Sequence, residues 1–213
     1  MISAFTRLDL SSWFPRMQVA LTLLFVVAIG VLLPVPGMAI MTAAIVASLM
    51  VSAPFLGDER GRLDTLYGVL PVSRSTVVIG RALSIICYYL VAATIATIVT
   101  IISAVLTGGH VDTELLLVAH SIALAFIGVS MAFQLPVLFR IGYSRGRLMA
   151  YAPVFVIVGL AWLLQAVGAD EGFSAAFEAF PVGALVAIGA LIGVIGIICA
   201  IAVSARLYRT RQL

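Results

Sequence analysis

Few side chains in this sequence could carry nucleophilic or acid–base chemistry, and their placement argues against it. His120, Ser121, Ser130, Gln134 and Gln165 lie inside long apolar runs, while the only other histidine, His110, falls in a separate polar connection. A hydrolase needs Ser, His and an acid at a common depth, and no Asp, Glu or Arg falls within the core of any apolar run. A metal site needs converging His, Cys or carboxylate ligands, which two isolated histidines do not supply. No catalytic residue, metal or other cofactor is therefore expected. All 12 basic residues are Arg and Lys is absent. The chain thus cannot hold Gly-x-x-x-x-Gly-Lys-Ser/Thr, whose Lys amine reaches the β and γ phosphates of a bound nucleotide. If ATP drives this protein, it is hydrolysed on another polypeptide.

Two of the polar residues within apolar runs have a further possible role. His120, Ile127, Met131 and Gln134 recur close to one face at heptad spacing. His120 and Gln134 either join helices by hydrogen bonds worth about 0.6 to 2 kcal/mol each or line a translocation path. Pro136, on the same run, removes one backbone hydrogen bond and is expected to bend it.

The elements that position these residues follow from composition. Hydrophobic residues make up 63% of the chain, charged residues 10%, and the mean hydropathy is +1.24, well above a soluble domain. The bilayer must be the solvent. A span takes about 20 apolar residues, which gives six runs at 17–33, 38–55, 83–106, 115–139, 148–167 and 182–204. The expected fold is all-α: a polytopic integral membrane protein forming one transmembrane domain over residues 1–213. No polar stretch is long enough to build a core of its own.

The charges set the orientation. Arg7 and Arg16, then Arg60, Arg62, Arg74 and Arg81, then Arg140, Arg145 and Arg147, then Arg206, Arg209 and Arg211 occupy alternate connections. The remaining connections, at 34–37, 108–114 and 167–180, hold only Asp112, Glu114, Asp170, Glu171 and Glu178. A positive charge bias that alternates in this way puts both termini in the cytoplasm. The sequence pI of about 9.2 therefore reflects arginines beside anionic membrane lipid, not nucleic-acid binding. The N-terminal residues Ile2, Phe5, Leu8 and Trp13 alternate with Arg7, Asp9 and Arg16, as in a retained helix lying in the interface plane. Cys87 and Cys199 fall inside spans, so no disulfide is expected. In the sixth span Gly189, Gly193, Gly196 and Ala200 form a small-residue stripe, suited to packing within the subunit or to dimerisation.

Most functional information lies between the second and third runs. Leu63, Leu66, Tyr67 and Leu70 recur at i, i+3, i+4 and i+7, forming one apolar stripe on a short amphipathic helix. Asp58, Arg62, Asp64 and Thr65 turn toward water, with Asp58 and Arg62 in the favourable i, i+4 order. Pro71 ends the helix, and Ser73 is placed to cap the next one. The acid–base run Asp58-Glu59-Arg60, the pair Thr65-Leu66 and Leu70-Pro71-Val72-Ser73-Arg74 resemble the cytoplasmic loop of ABC-2 type permeases, most closely the short six-span bacterial branch.

That resemblance implies a permease subunit of an ABC exporter, moving an unidentified substrate with ATP hydrolysed by a separate cytoplasmic subunit. It implies a coupling helix that docks on this ATP-binding partner through Asp58, Glu59, Arg62, Leu63, Leu66, Tyr67, Leu70 and Arg74. A second permease chain, identical or related, and a bacterial cytoplasmic (plasma) membrane follow from the same resemblance. It also suggests a short outer or re-entrant helix carrying Phe173, Ala176, Phe177 and Phe180, where a loop with aromatic interface anchors is the alternative. The other functional classes open to these residues are a secondary transporter or channel without an ATPase, and a non-transporting membrane scaffold.

Overall fold

The apolar periodicity becomes helix throughout. A computed structural model describes residues 2–13, 17–61, 73–169, 171–172 and 179–210, and all regular structure among them is helical. The chain runs through α1 (Ile2–Trp13), α2 (Met17–Leu32), α3 (Met38–Met50), α4 (Ala53–Gly61), α5 (Arg74–Leu106), α6 (Thr113–Ile141), α7 (Tyr143–Gly146), a 3-10 turn (Arg147–Ala150), α8 (Ala152–Ala166) and α9 (Val182–Thr210). Among the described residues five helical stretches are long and apolar enough to cross a membrane, Met38–Gly61 (α3 with α4), α5, α6, Tyr143–Ala166 (α7 to α8) and α9, or six if α1 and α2 count as one bent span. This is a multi-pass membrane protein.

The helices are positioned by small residues. α3 lies inside the bundle, burying Ala39, Ile40, Ala43, Ala44, Ala47 and Ser48, and α5 brings Ala92, Ala93 and Ala96 to the interior. Short side chains let backbones approach closely in lipid, where association relies on van der Waals packing. Gly37, with φ +81°, turns the chain from α2 into α3 in a conformation that favours glycine. α3 and α4 are nearly continuous. Pro54 has no N–H to return to the carbonyl four residues back, and the break falls just before it at Val51 and Ser52.

α6 and α9 pack along their whole lengths. A Cβ on Gly189 would meet Ser121, one on Gly193 would meet Leu124, and one on Gly196 would meet Gly128. The numbers rise together, so the two helices are parallel. Of the two uses open to the small-residue stripe, it serves packing inside one chain. Parallel helices joined in sequence need a returning segment between them, and residues Tyr143–Ala166 supply it. α8 itself is almost fully exposed, with Phe155, Trp162 and Leu163 turned outward.

Several helices run longer than the expected spans, and α1 buries a different face from the one expected. The third span, expected at 83–106, lies within a longer helix that begins at Arg74, and its 33 residues extend about 50 Å. Its first turns therefore reach well beyond a hydrocarbon core of about 30 Å. Ser73 caps it as expected, its Oγ accepting from Thr76 N at 3.2 Å. α1 is helical as expected, but its buried face is Phe5, Asp9 and Trp13, while Leu8 is exposed. Those three residues follow i, i+4 spacing against α5, where Gly80 leaves room for the Phe5 ring. Pro136 sits inside α6 without ending it.

Candidate functional site: the arginine-bearing end

Four segments that are far apart in sequence meet at one end of the bundle. Arg81, on the exposed-length start of α5, has 0% side-chain exposure and binds two carboxylates. Its Nη2 lies 2.9 Å from Asp9 Oδ1 of α1, and its Nη1 donates to Asp58 Oδ2 of α4 at 2.7 Å. The guanidinium also stacks 4.8 Å from the centroid of the Phe55 ring. A buried charge costs several kcal/mol unless paired and hydrogen-bonded, and here the compensation comes from two different segments. Ser84 donates to Asp9 Oδ2, and Trp13 packs on Tyr88 with ring centroids 5.6 Å apart, fixing α1 to α5. Burial pushes the Asp9 carboxyl above its ordinary value of 3.8, against the lowering pull of Arg81 and Ser84.

This arrangement corrects one expectation. Asp58 does not turn toward water, because Arg81 draws its side chain inward to 13% exposure. Its neighbour Glu59 reaches a different element: Glu59 Oε2 accepts from Ser144 N at 3.1 Å and Oε1 from Ser144 Oγ at 2.8 Å, tying α4 to α7. Arg74 Nη1 donates to Tyr208 O at 2.9 Å and its guanidinium lies 5.7 Å from the Tyr208 ring centroid, tying α5 to the end of α9. Phe55, Phe139 and Tyr208 form a line of rings 4.9 and 5.2 Å apart. Between these rings and the two acids is a cleft of about 70 Å³.

Of the eight residues expected to couple to a partner, Asp58, Glu59 and Arg74 are gathered at this end. Arg62, Leu63, Leu66, Tyr67 and Leu70 lie outside the described residues, as do Phe173 and Phe177. Arg81, Asp9 and Ser144 were not singled out by their sequence context. The signal for Arg81 was its place on the helical continuation of an apolar run. The signal for Asp9 was its i, i+4 relation to Phe5 and Trp13.

Inside the bundle, His120 Nε2 is 2.9 Å from Thr97 Oγ1 and Nδ1 is 2.8 Å from Leu116 O, so both ring nitrogens are engaged. Gln134 Nε2 donates to Ser48 Oγ at 3.0 Å, joining α6 to α3, while its buried Oε1 has no hydrogen-bond partner among the described residues. His120 and Gln134 are therefore not brought together. At the end remote from the arginines a cavity of about 150 Å³ is lined by Pro34, Pro36, Thr100, Ser103, Thr107 and His110, among others. Asp112 beside it caps α6, accepting from Glu114 N and Leu115 N. Among the described residues no group of His, Cys, Asp and Glu could hold a metal ion.

The buried ion pairs of the described residues lie at this one end of a bundle of membrane-length helices. The family model for ABC-2 family transporter proteins matches residues 10–209, and the chain belongs to that family. It is the membrane domain of an ABC transporter, a family that associates with an ATP-binding subunit. No curated protein and no solved structure matches it.

Proposed function

We propose that this chain is the permease subunit of an ABC-2 exporter, and that residues from Asp58 to Arg74 form its coupling segment. The observation that carries this reading is the position of α4: its adjacent residues Asp58 and Glu59 hold Arg81 of α5 and Ser144 of α7. A force applied to the segment beyond Gly61 therefore reaches two helices of the bundle at once. The stripe Leu63, Leu66, Tyr67 and Leu70 fits a groove on a cytoplasmic ATP-hydrolysing partner. Arg74 anchors the segment's far end to Tyr208.

Both chain ends belong to this assembly: Asp9 lies on Arg81, and Tyr208 lies on Arg74. With the arginine bias, this supports cytoplasmic termini in a bacterial inner membrane. The working unit is a dimer of permease chains, identical or related, on two ATPase chains. Gln134 is the better candidate for the translocation path, since its Oε1 is uncommitted, whereas His120 has both nitrogens occupied.

The test replaces Leu66 or Tyr67 by Asp, with Glu114→Gln at the opposite end as control. A carboxylate buried without a partner costs several kcal/mol. Both variants should insert normally but lose copurification of the ATPase and permease-dependent ATP turnover. If both properties survive, the segment is only a linker.

A further inference from the structure

Arg81 carries two carboxylates where one would balance its charge, and the two differ in setting. Asp9 is 3% exposed and is also held by Ser84, on a helix fixed by Trp13 and Phe5. Asp58 is 13% exposed, stands at the rim of a cleft, and sits on the nine-residue α4 just ahead of the coupling segment. We propose that Arg81 and its two acids form a releasable clasp on the coupling segment, with Asp9 as the permanent counter-ion and Asp58 as the exchangeable one.

The argument is electrostatic and rests on the coupling role proposed above. Removing one partner of a buried ion pair is costly because it strands the other charge. Here Asp58 can leave for water while Arg81 stays paired with Asp9, so withdrawal of α4 strands no charge, and it costs only the Phe55 ring contacts with Arg81 and Phe139. The converse does not hold, since Asp9 cannot leave without unpacking α1 from α5. Glu59 on exposed Ser144 forms a second contact at the same level, also open to water. α4 is thus held in a defined resting position by contacts that can be broken without exposing an unpaired charge. An ordinary structural ion pair of one acid and one base would lock it instead. Asp9 and Arg81 are positioning residues in this scheme, acting on the segment through Asp58.

The experiment uses the permease–ATPase complex with Cys87 and Cys199 replaced by Ser. Spin labels are placed at Arg60 on α4 and Arg145 on α7, both exposed. Pulsed dipolar spectroscopy then compares the nucleotide-free complex with one trapped with ATP and vanadate. In the parent, trapping should lengthen the distance between labels. Asp58→Asn should show the lengthened or broadened distribution before nucleotide is added. Asp9→Asn makes Asp58 the sole carboxylate described on Arg81, so the distance should stay short after trapping. The double variant Asp9→Asn/Asp58→Asn should lose most of its folded yield, although each single variant folds. The proposal is overturned by a parent distance that trapping leaves unchanged. It is also overturned by an Asp58→Asn distribution identical to the parent's, or by a double variant as stable as the singles. Failure of the coupling role would appear separately, as a Leu66→Asp complex that still assembles and turns over ATP.

Discussion

Gly128 and Gly196 meet backbone to backbone: a Cβ on Gly196 would lie 2.6 Å from the carbonyl carbon of Gly128. No side chain flexes to relieve such a clash, so α6 and α9 must separate if either residue enlarges. Gly196→Ala should destabilise the purified protein by about 1–3 kcal/mol, the usual cost of overpacking, and Gly196→Leu should abolish folded yield. Gly159→Ala, on the open face of α8 with nothing within 4 Å, should leave thermal unfolding in detergent unchanged. Equal stability of the two alanine variants would show that the α6–α9 contact is not tight in solution.

The capping oxygen of Asp112 accepts from two backbone N–H groups at the start of α6. Asp112→Ala should cost about 1 kcal/mol and Asp112→Asn markedly less, because Asn also caps. Chemical unfolding of the two variants side by side would decide this. An alanine variant as stable as the asparagine variant would remove the cap from the account.

Arg74 ties α5 to α9 through the carbonyl of Tyr208 and the face of its ring. Lys retains the charge but not the planar fork, so Arg74→Lys should free the last turn of α9. Limited proteolysis should then cut after Arg206 several-fold faster than in the parent, with no change near Gly109. Unchanged cleavage at Arg206 would mean that packing on α6 alone holds the end.

Gln134→Leu separates two roles. It removes a buried amide whose Oε1 is unsatisfied and leaves Ser48 to bond along its own helix. Stability should change by less than about 1 kcal/mol, since interhelical hydrogen bonds in membranes contribute little net. A stable variant with reduced permease-dependent ATP turnover supports a place on the path. A large fall in stability would assign Gln134 to packing.

Orientation is checked by single Cys probes in the Cys-free background. Gly109 should react with an impermeant thiol reagent in whole cells, and Ser144 should not. Labelling of Ser144 from outside would invert the reading of the arginines.

The crossing helices were legible because a bilayer needs long apolar runs, and five of the six fall on helical stretches of 24 to 33 residues among the described residues. Charge patterning marked the end where Asp58, Glu59 and Arg74 gather. The start of the third helix was legible at Ser73, but the partner of Arg81 was not. Arg81 breaks the apolar run chemically without breaking the helix, and nothing local shows that Asp9 will neutralise it from 72 positions upstream. The direction of Asp58 was misread for the same reason: a helix pattern gives faces, while a buried cation on another helix decides which face is wet. The α6–α9 contact was half visible, since the Gly189, Gly193 and Gly196 stripe showed on one helix but its partner Gly128 stood alone on the other.

The parallel pairing of α6 with α9 also imposes an order of biogenesis. α6 enters the membrane before α9 has been synthesised, and the intervening residues 142–181 take a few seconds at roughly 5–20 residues per second. During that interval the groove around Gly128 and the polar groups of Ser121 and Ser130 face lipid or the insertion machinery. α9 therefore acts as a closing piece, and the face of α6 around Gly128 stays uncovered until it arrives. A chain halted before Val182 should be recognised by membrane quality control as incomplete, even though most of its spans have already been laid down.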